Sequence, residues 1–140
     1  MLRNLSHTLA ALTGNCGDFR AAWEQADGSP EKGERWTGEW ISQENGHRGA
    51  LRCVLRRREG GDFEAMFHAR YARFLRVCYT VALHGARVGE AWRLEGEADL
   101  GGLAGGVYTY RGELAGATMT CAYACRYDRG IFELRAVKHD

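Results

Sequence analysis

The sequence lacks almost everything that would fix a function on sight. A single proline among 140 residues leaves no proline-rich or repeatedly kinked segment. There is no run of about 20 apolar residues, which excludes a membrane-spanning helix. Charge of either sign is not in excess: 19 Lys and Arg against 18 Asp and Glu give +1, too little to draw the chain to nucleic acid or to an acidic membrane surface. No nucleophile–base pair or carboxylate dyad stands out. The five histidines, His7, His47, His68, His84 and His139, show no ligand spacing, and a haem would need an inward-facing one. Neither a metal nor a cofactor is called for.

The five cysteines, Cys16, Cys53, Cys78, Cys121 and Cys125, are odd in number and match no zinc pattern. Cys121 and Cys125 lie four apart in a strand pattern, about 13 Å at 3.3 Å per residue, too far to bond to each other. Four of the five fall within strand patterns, where a free cysteine is a small apolar filler. This predicts a reducing compartment, most simply the cytoplasm. The apolar stretch of residues 1–16 is broken by Asn4, Ser6, His7 and Thr8, and it reads as an unprocessed segment rather than a signal peptide.

What the sequence does have is a hydrophobic beat of two that recurs from Trp36 to the C-terminus. The inward sets are Trp36, Gly38, Trp40 and Ser42; Leu51, Cys53 and Leu55; Phe63, Ala65, Phe67, Ala69 and Tyr71; and Leu75, Val77, Tyr79, Val81 and Leu83. Then follow Trp92, Leu94, Gly96, Ala98 and Leu100; Tyr108, Tyr110, Gly112 and Leu114; Met119, Cys121, Tyr123, Cys125 and Tyr127; and Phe132 with Leu134. Turn chemistry separates them, with Asn45-Gly46, Gly60-Gly61 and Asp128-Arg129-Gly130 the clearest cases. The pattern predicts an all-β fold: an eight-stranded antiparallel up-and-down (meander) barrel with a short helical N-terminal arm. A two-sheet sandwich is the structural alternative. Residues 1–34 are the helical arm and linker, and residues 35–140 the barrel.

In the arm, Leu2, Leu5, Leu9 and Leu12 recur at helical spacing, and Asp18 is a candidate cap for a second short helix carrying Phe19, Ala22, Trp23 and Ala26 on one face. The arm is either a lid or plug at a barrel end or a loosely attached extension. The glycine-rich loop 101–106 lacks the lysine and the helix start of a phosphate loop and reads as a strand connection. Arg56-Arg57-Arg58 reads as a solvated face paired across strands.

The segment Gly38-Glu39-Trp40-Ile41-Ser42-Gln43 resembles the first strand of the calycins, the superfamily of lipocalins, fatty-acid-binding proteins and avidins, with avidins closest. The resemblance implies that Trp40 closes a barrel end, that Ser42 points at a ligand, and that Trp92 falls where an avidin places a binding-site aromatic. It covers about six residues closely and the barrel in outline. The polar set that would grip the ureido group of biotin does not align.

The inward list is rich in rings with polar tips, which suit a pocket that stacks a flat ligand and fixes it with a few hydrogen bonds. The candidate ligand-binding residues are Trp40, Ser42, Tyr79, Trp92, Tyr108, Tyr110 and Tyr123. No catalytic residue is assigned, because the inner face is nearly unbroken by misplaced polar groups. The first function expected is a carrier or sensor for a small aromatic or apolar ligand, without nucleic-acid or membrane partners. The second is a structural or protein-interaction barrel with a filled core, in which outward Ile41, Val54, Met66, Phe74, Cys78 and Val107 form a homo-oligomer contact. A barrel enzyme ranks third.

Overall fold

The computed structural model describes residues 16–71, 75–102 and 105–138. Eight strands form one closed sheet: β1 (Glu34–Ser42), β2 (Arg48–Arg57), β3 (Asp62–Tyr71), β4 (Leu75–Val88), β5 (Ala91–Asp99), β6 (Val107–Ala115), β7 (Thr118–Ala124) and β8 (Arg129–Ala136). Each pairs antiparallel with its sequence neighbour, and β8 returns to β1 through Trp36↔Ala136 to Ser42↔Gly130. Closure leaves no open edge, so the barrel rather than the sandwich is the fold.

The period-two reading places the core correctly. Trp36, Leu51, Cys53, Leu55, Phe63, Phe67, Val81, Leu94, Met119 and Leu134 are buried inside the barrel. Two residues of the inward list leave it. Tyr127 is 70% exposed, because β7 stops at Ala124 and the chain turns there, and Leu75 is 52% exposed at the start of β4.

Among the described residues one α-helix, α1 (Gly17–Gln25), lies outside the barrel. Asp18 sits in its first turn instead of capping it, and Cys16 holds the cap position without a side-chain bond. Phe19, Ala22 and Ala26 pack on Val54 and Cys78, whose side chains point away from the lumen on β2 and β4. The helix is therefore neither a plug at a barrel end nor a loose extension; it covers the flank of the wall. The outward Val54 and Cys78 are buried by this packing and Met66 partly so, which leaves Val54 and Cys78 no surface for an oligomer contact. The leucines of the first predicted helix, and Phe74, lie outside the described residues.

A turn at 27–33 carries the chain from α1 to β1, closed by the Gly33 N–H donating to the Ser29 carbonyl at 2.9 Å. Gly33 has φ +117°, and a Cβ there would stand 2.8 Å from Val54 Cγ1, so only glycine fits. A disulfide between Cys16 and Cys78 ties the start of α1 to β4. Cys78 is therefore not the free filler expected from its strand pattern; Cys53, Cys121 and Cys125 are free. The pairing escaped the sequence because it joins positions 62 apart on different elements.

Candidate functional site

The two mouths of the barrel differ in chemistry. One gathers the β1–β2 turn, the β5–β6 loop and the β7–β8 turn; the other gathers the β2–β3, β4–β5 and β6–β7 turns. At the second mouth the lumen is closed by Trp36, Leu55, Phe63, Leu83, Met119 and Leu134, all buried. The first mouth is lined instead by side chains with polar tips.

Strand β1 delivers Trp40 and Ser42 to that mouth in successive inward positions. Trp40 faces Gly49 across the β1–β2 ladder, and a Cβ on Gly49 would stand 2.5 Å from the indole nitrogen. The missing side chain lets the indole fold over the backbone and donate from Nε1 to the Arg70 carbonyl at 2.8 Å. The ring then rests 4.6 Å from that of Tyr71. Tyr123 repeats the device against Gly130, its partner on β8, where a Cβ would stand 2.5 Å from the phenol oxygen.

Asp128 joins these strands. The Ser42 hydroxyl donates to its Oδ1 at 2.6 Å and the Tyr123 hydroxyl to its Oδ2 at 3.1 Å. Ser42 Oγ in turn accepts the Glu44 N–H at 3.2 Å and the Asn45 N–H at 3.4 Å, so the β1–β2 turn fixes its orientation. The result is a carboxylate held between two hydroxyls at the rim of an aromatic lumen, with acceptor capacity left over.

Five of the six tyrosines, Tyr71, Tyr79, Tyr108, Tyr110 and Tyr123, converge here and act on one another electrostatically. Burial is the main force on every one and holds each hydroxyl in its protonated form; Tyr71 is pushed up to about 12, with Asp128 and Cys125 adding to the effect of burial. Tyr79, Tyr108, Tyr110 and Tyr123 are raised further still. Tyr108 also feels the Cys125 thiol, and a Cβ on Gly105 would meet both, 3.0 Å from the sulfur and 3.2 Å from the phenol oxygen. At neutral pH the mouth therefore offers neutral phenol hydroxyls, able to donate or accept, beside the Asp128 side chain.

Among the described residues two buried polar side-chain atoms lack a hydrogen-bond partner: Trp36 Nε1 toward the other mouth and the Tyr110 hydroxyl here. Tyr110 is 2% exposed. The Tyr79 hydroxyl is near enough to pull against the effect of burial on Tyr110, but the pair falls short of hydrogen-bond geometry. Below the mouth, Phe67 packs 5.3 Å from Tyr79, 6.4 Å from Tyr110 and 5.3 Å from Phe132, a column of rings across mid-lumen.

Of the predicted site residues, Trp40, Ser42, Tyr79, Tyr108, Tyr110 and Tyr123 meet at one mouth or just beneath it. Trp92 does not: it stands at the opposite mouth, edge-on to Phe63 at 5.3 Å, with the Arg57 guanidinium 4.8 Å and the Arg87 guanidinium 5.1 Å from its ring centre. Arg56 and Arg58 pair with Glu64 across the ladder at 3.3 and 3.0 Å, as expected. In the glycine loop, the Gly101 N–H donates to Asp99 and the Gly106 N–H to the Gly101 carbonyl, so these amides are occupied within the loop. Sequence reasoning missed Asp128, which carried a turn signal, and left Tyr71 among the inward rings without assigning it to the site.

Fold and mouth together define a closed eight-stranded meander barrel whose one mouth carries a polar, tyrosine-lined rim. No protein-family model matches the chain, and no curated protein matches it by sequence. Among solved structures it is similar to two single-residue variants of the fluorescent protein UnaG. One is 10% identical, covering 76% of this chain and 96% of that one at a TM-score of 0.41. The other is 10% identical, covering 74% and 94%, also at 0.41. At that distance the fold rests on this chain's own strand ladder, and nothing of those proteins' fluorescence is carried over.

Proposed function

We propose that the protein is a small-molecule-binding barrel, a carrier or sensor, and that its ligand enters by the tyrosine-lined mouth. The observation that supports this most is the buried, unpartnered Tyr110 hydroxyl. Leaving such a group unpaired costs about 1–3 kcal/mol, a penalty that a bound polar group removes. The ligand class that suits the site has a flat, apolar or aromatic body, to lie against Trp40, Tyr71, Tyr79 and Tyr108. It also carries an N–H or O–H donor for Asp128. Phe67 and its neighbours limit how deep such a molecule can sit, which favours a compact ligand.

The same ring column supports the second reading, a filled barrel that serves as an interaction module. Native mass spectrometry of freshly purified protein, set against the denatured sample, separates the two. Extra mass that vanishes on denaturation, and is absent from Asp128→Ala, supports the carrier. Bare wild-type mass, with no thermal shift across a library of flat hydrogen-bond donors, rejects it. The cytoplasmic reading stays a proposal, and the Cys16–Cys78 bond weighs on the other side of it.

A further inference from the structure

Outside the lumen, one cluster of chemically competent side chains has no part in the proposed function. Cys16 precedes α1, Cys78 lies on β4, and His68 is the ladder partner of Cys78 on β3. The two sulfurs and an imidazole nitrogen all lie within 4.8 Å of one another. His68 is 6% exposed, one of two buried polar residues among the described residues, and the Phe19 ring of α1 packs 5.3 Å from it. A histidine that only filled space under a helix would not need two sulfurs beside it.

We propose that this cluster is a redox-gated metal site, which in its dithiol form binds one thiophilic d10 cation through Cys16, Cys78 and His68. Reduction is by an external dithiol. Its two sulfurs become a disulfide, and two electrons and two protons pass to the Cys16–Cys78 bond, giving two thiols. Metal binding then releases both thiol protons to solvent and forms two metal–sulfur bonds and one metal–nitrogen bond.

Two considerations support the assignment. Ligand atoms around a tetrahedral or trigonal ion, with bonds of about 2.0–2.3 Å, stand about 3.5–4 Å apart, so after reduction the two bonded sulfurs need only draw apart to that separation beside an imidazole already within 4.8 Å of them. Two thiolates and one imidazole are a soft donor set, suited to zinc or copper(I) and unsuited to magnesium or calcium. A bound ion would also replace the disulfide as the link between α1 and the wall, so the helix stays docked in both states.

The test uses the full chain, reduced and desalted without oxygen, and titrated with Co2+ as an optical probe. The expected result is one Co2+ per chain, with thiolate charge-transfer absorption in the near ultraviolet, displaced by one equivalent of Zn2+. The oxidised protein should bind at least 100-fold more weakly. Cys16→Ser, which alters no residue inside the barrel, should abolish the charge-transfer band, and His68→Asn should weaken binding at least tenfold. Near-ultraviolet circular dichroism of each sample checks that the barrel persists. The absence of a 1:1 complex in the reduced wild type, or equal binding by Cys16→Ser, would overturn the proposal. Equal binding would place the ion on Cys53, Cys121 or Cys125.

Discussion

Replacing Cys16 and Cys78 together by serine tests how the helix contributes to the stability of the barrel. The bond closes a loop with a sequence separation of 62. In the chain-entropy treatment, cutting a loop of that length releases about 4 kcal/mol of restraint on the unfolded chain. Unfolding entropy for 140 residues is about 0.3 kcal/mol per kelvin near the midpoint, so the loss corresponds to a fall in Tm of about 15 °C. The serine hydroxyls would also sit where Phe19, Ala22 and Val54 exclude water, which adds to the loss rather than reducing it. The assay is urea unfolding followed by tryptophan fluorescence, because Trp23 reports on α1 while Trp36 and Trp40 report on the barrel. Thiol counting on the unfolded, unreduced wild type should find three reactive thiols, and after reduction five. Five thiols before reduction, or a loss below about 1 kcal/mol in the double variant, would refute the reasoning. The second result would mean that helix and barrel unfold independently.

Tyr110→Phe removes a buried hydroxyl with no partner, so the free protein should gain up to about 1 kcal/mol in chemical denaturation while ligand affinity falls; a loss of stability would show that the hydroxyl is satisfied. Asp128→Ala orphans the Ser42 and Tyr123 hydroxyls and should cost about 1–3 kcal/mol in stability, with at least a tenfold loss of ligand by calorimetry. Gly33→Ala, strained at φ +117° and pressed on Val54, should destabilise by more than about 1 kcal/mol in thermal melts. The lumen tyrosines bind their protons more tightly folded than unfolded, so in alkali the unfolded chain releases protons first. Their contribution is constant below about pH 10 and is lost as pH rises from there. Tyr71 should ionise only near pH 12 in a spectrophotometric titration of the native protein, and ionisation of all the tyrosines near pH 10 would contradict the burial.

Much of the architecture was legible because its cause is local. A strand with one dry face must alternate, so Leu51-Cys53-Leu55 and Phe63-Ala65-Phe67 announce both their conformation and their inner side, and Asn45-Gly46 announces the hairpin between β1 and β2. Residues that alternate inward also fall within reach of the lumen, which is why Trp40, Ser42, Tyr79, Tyr108, Tyr110 and Tyr123 could be nominated together. Alternation says which face a residue takes but not which mouth it reaches. That depends on the stagger between strands, and so Trp92 stands at the far mouth under Arg57 and Arg87.

The remaining features are relations between elements far apart in sequence. Asp128 reaches the site because β8 closes onto β1, which brings it 2.6 Å from a serine 86 residues earlier. Val54, His68 and Cys78 carry the outward parity of exposed residues, and they are buried only because α1 lies across them. The sequence by itself determined the strands, their inner faces and the turns, since each follows from the sterics and hydrophobicity of a few adjacent residues. The tertiary structure alone decided the closure, the asymmetry of the mouths, the place of the helix and the cysteine pairing, because each joins surfaces whose meeting no local pattern encodes.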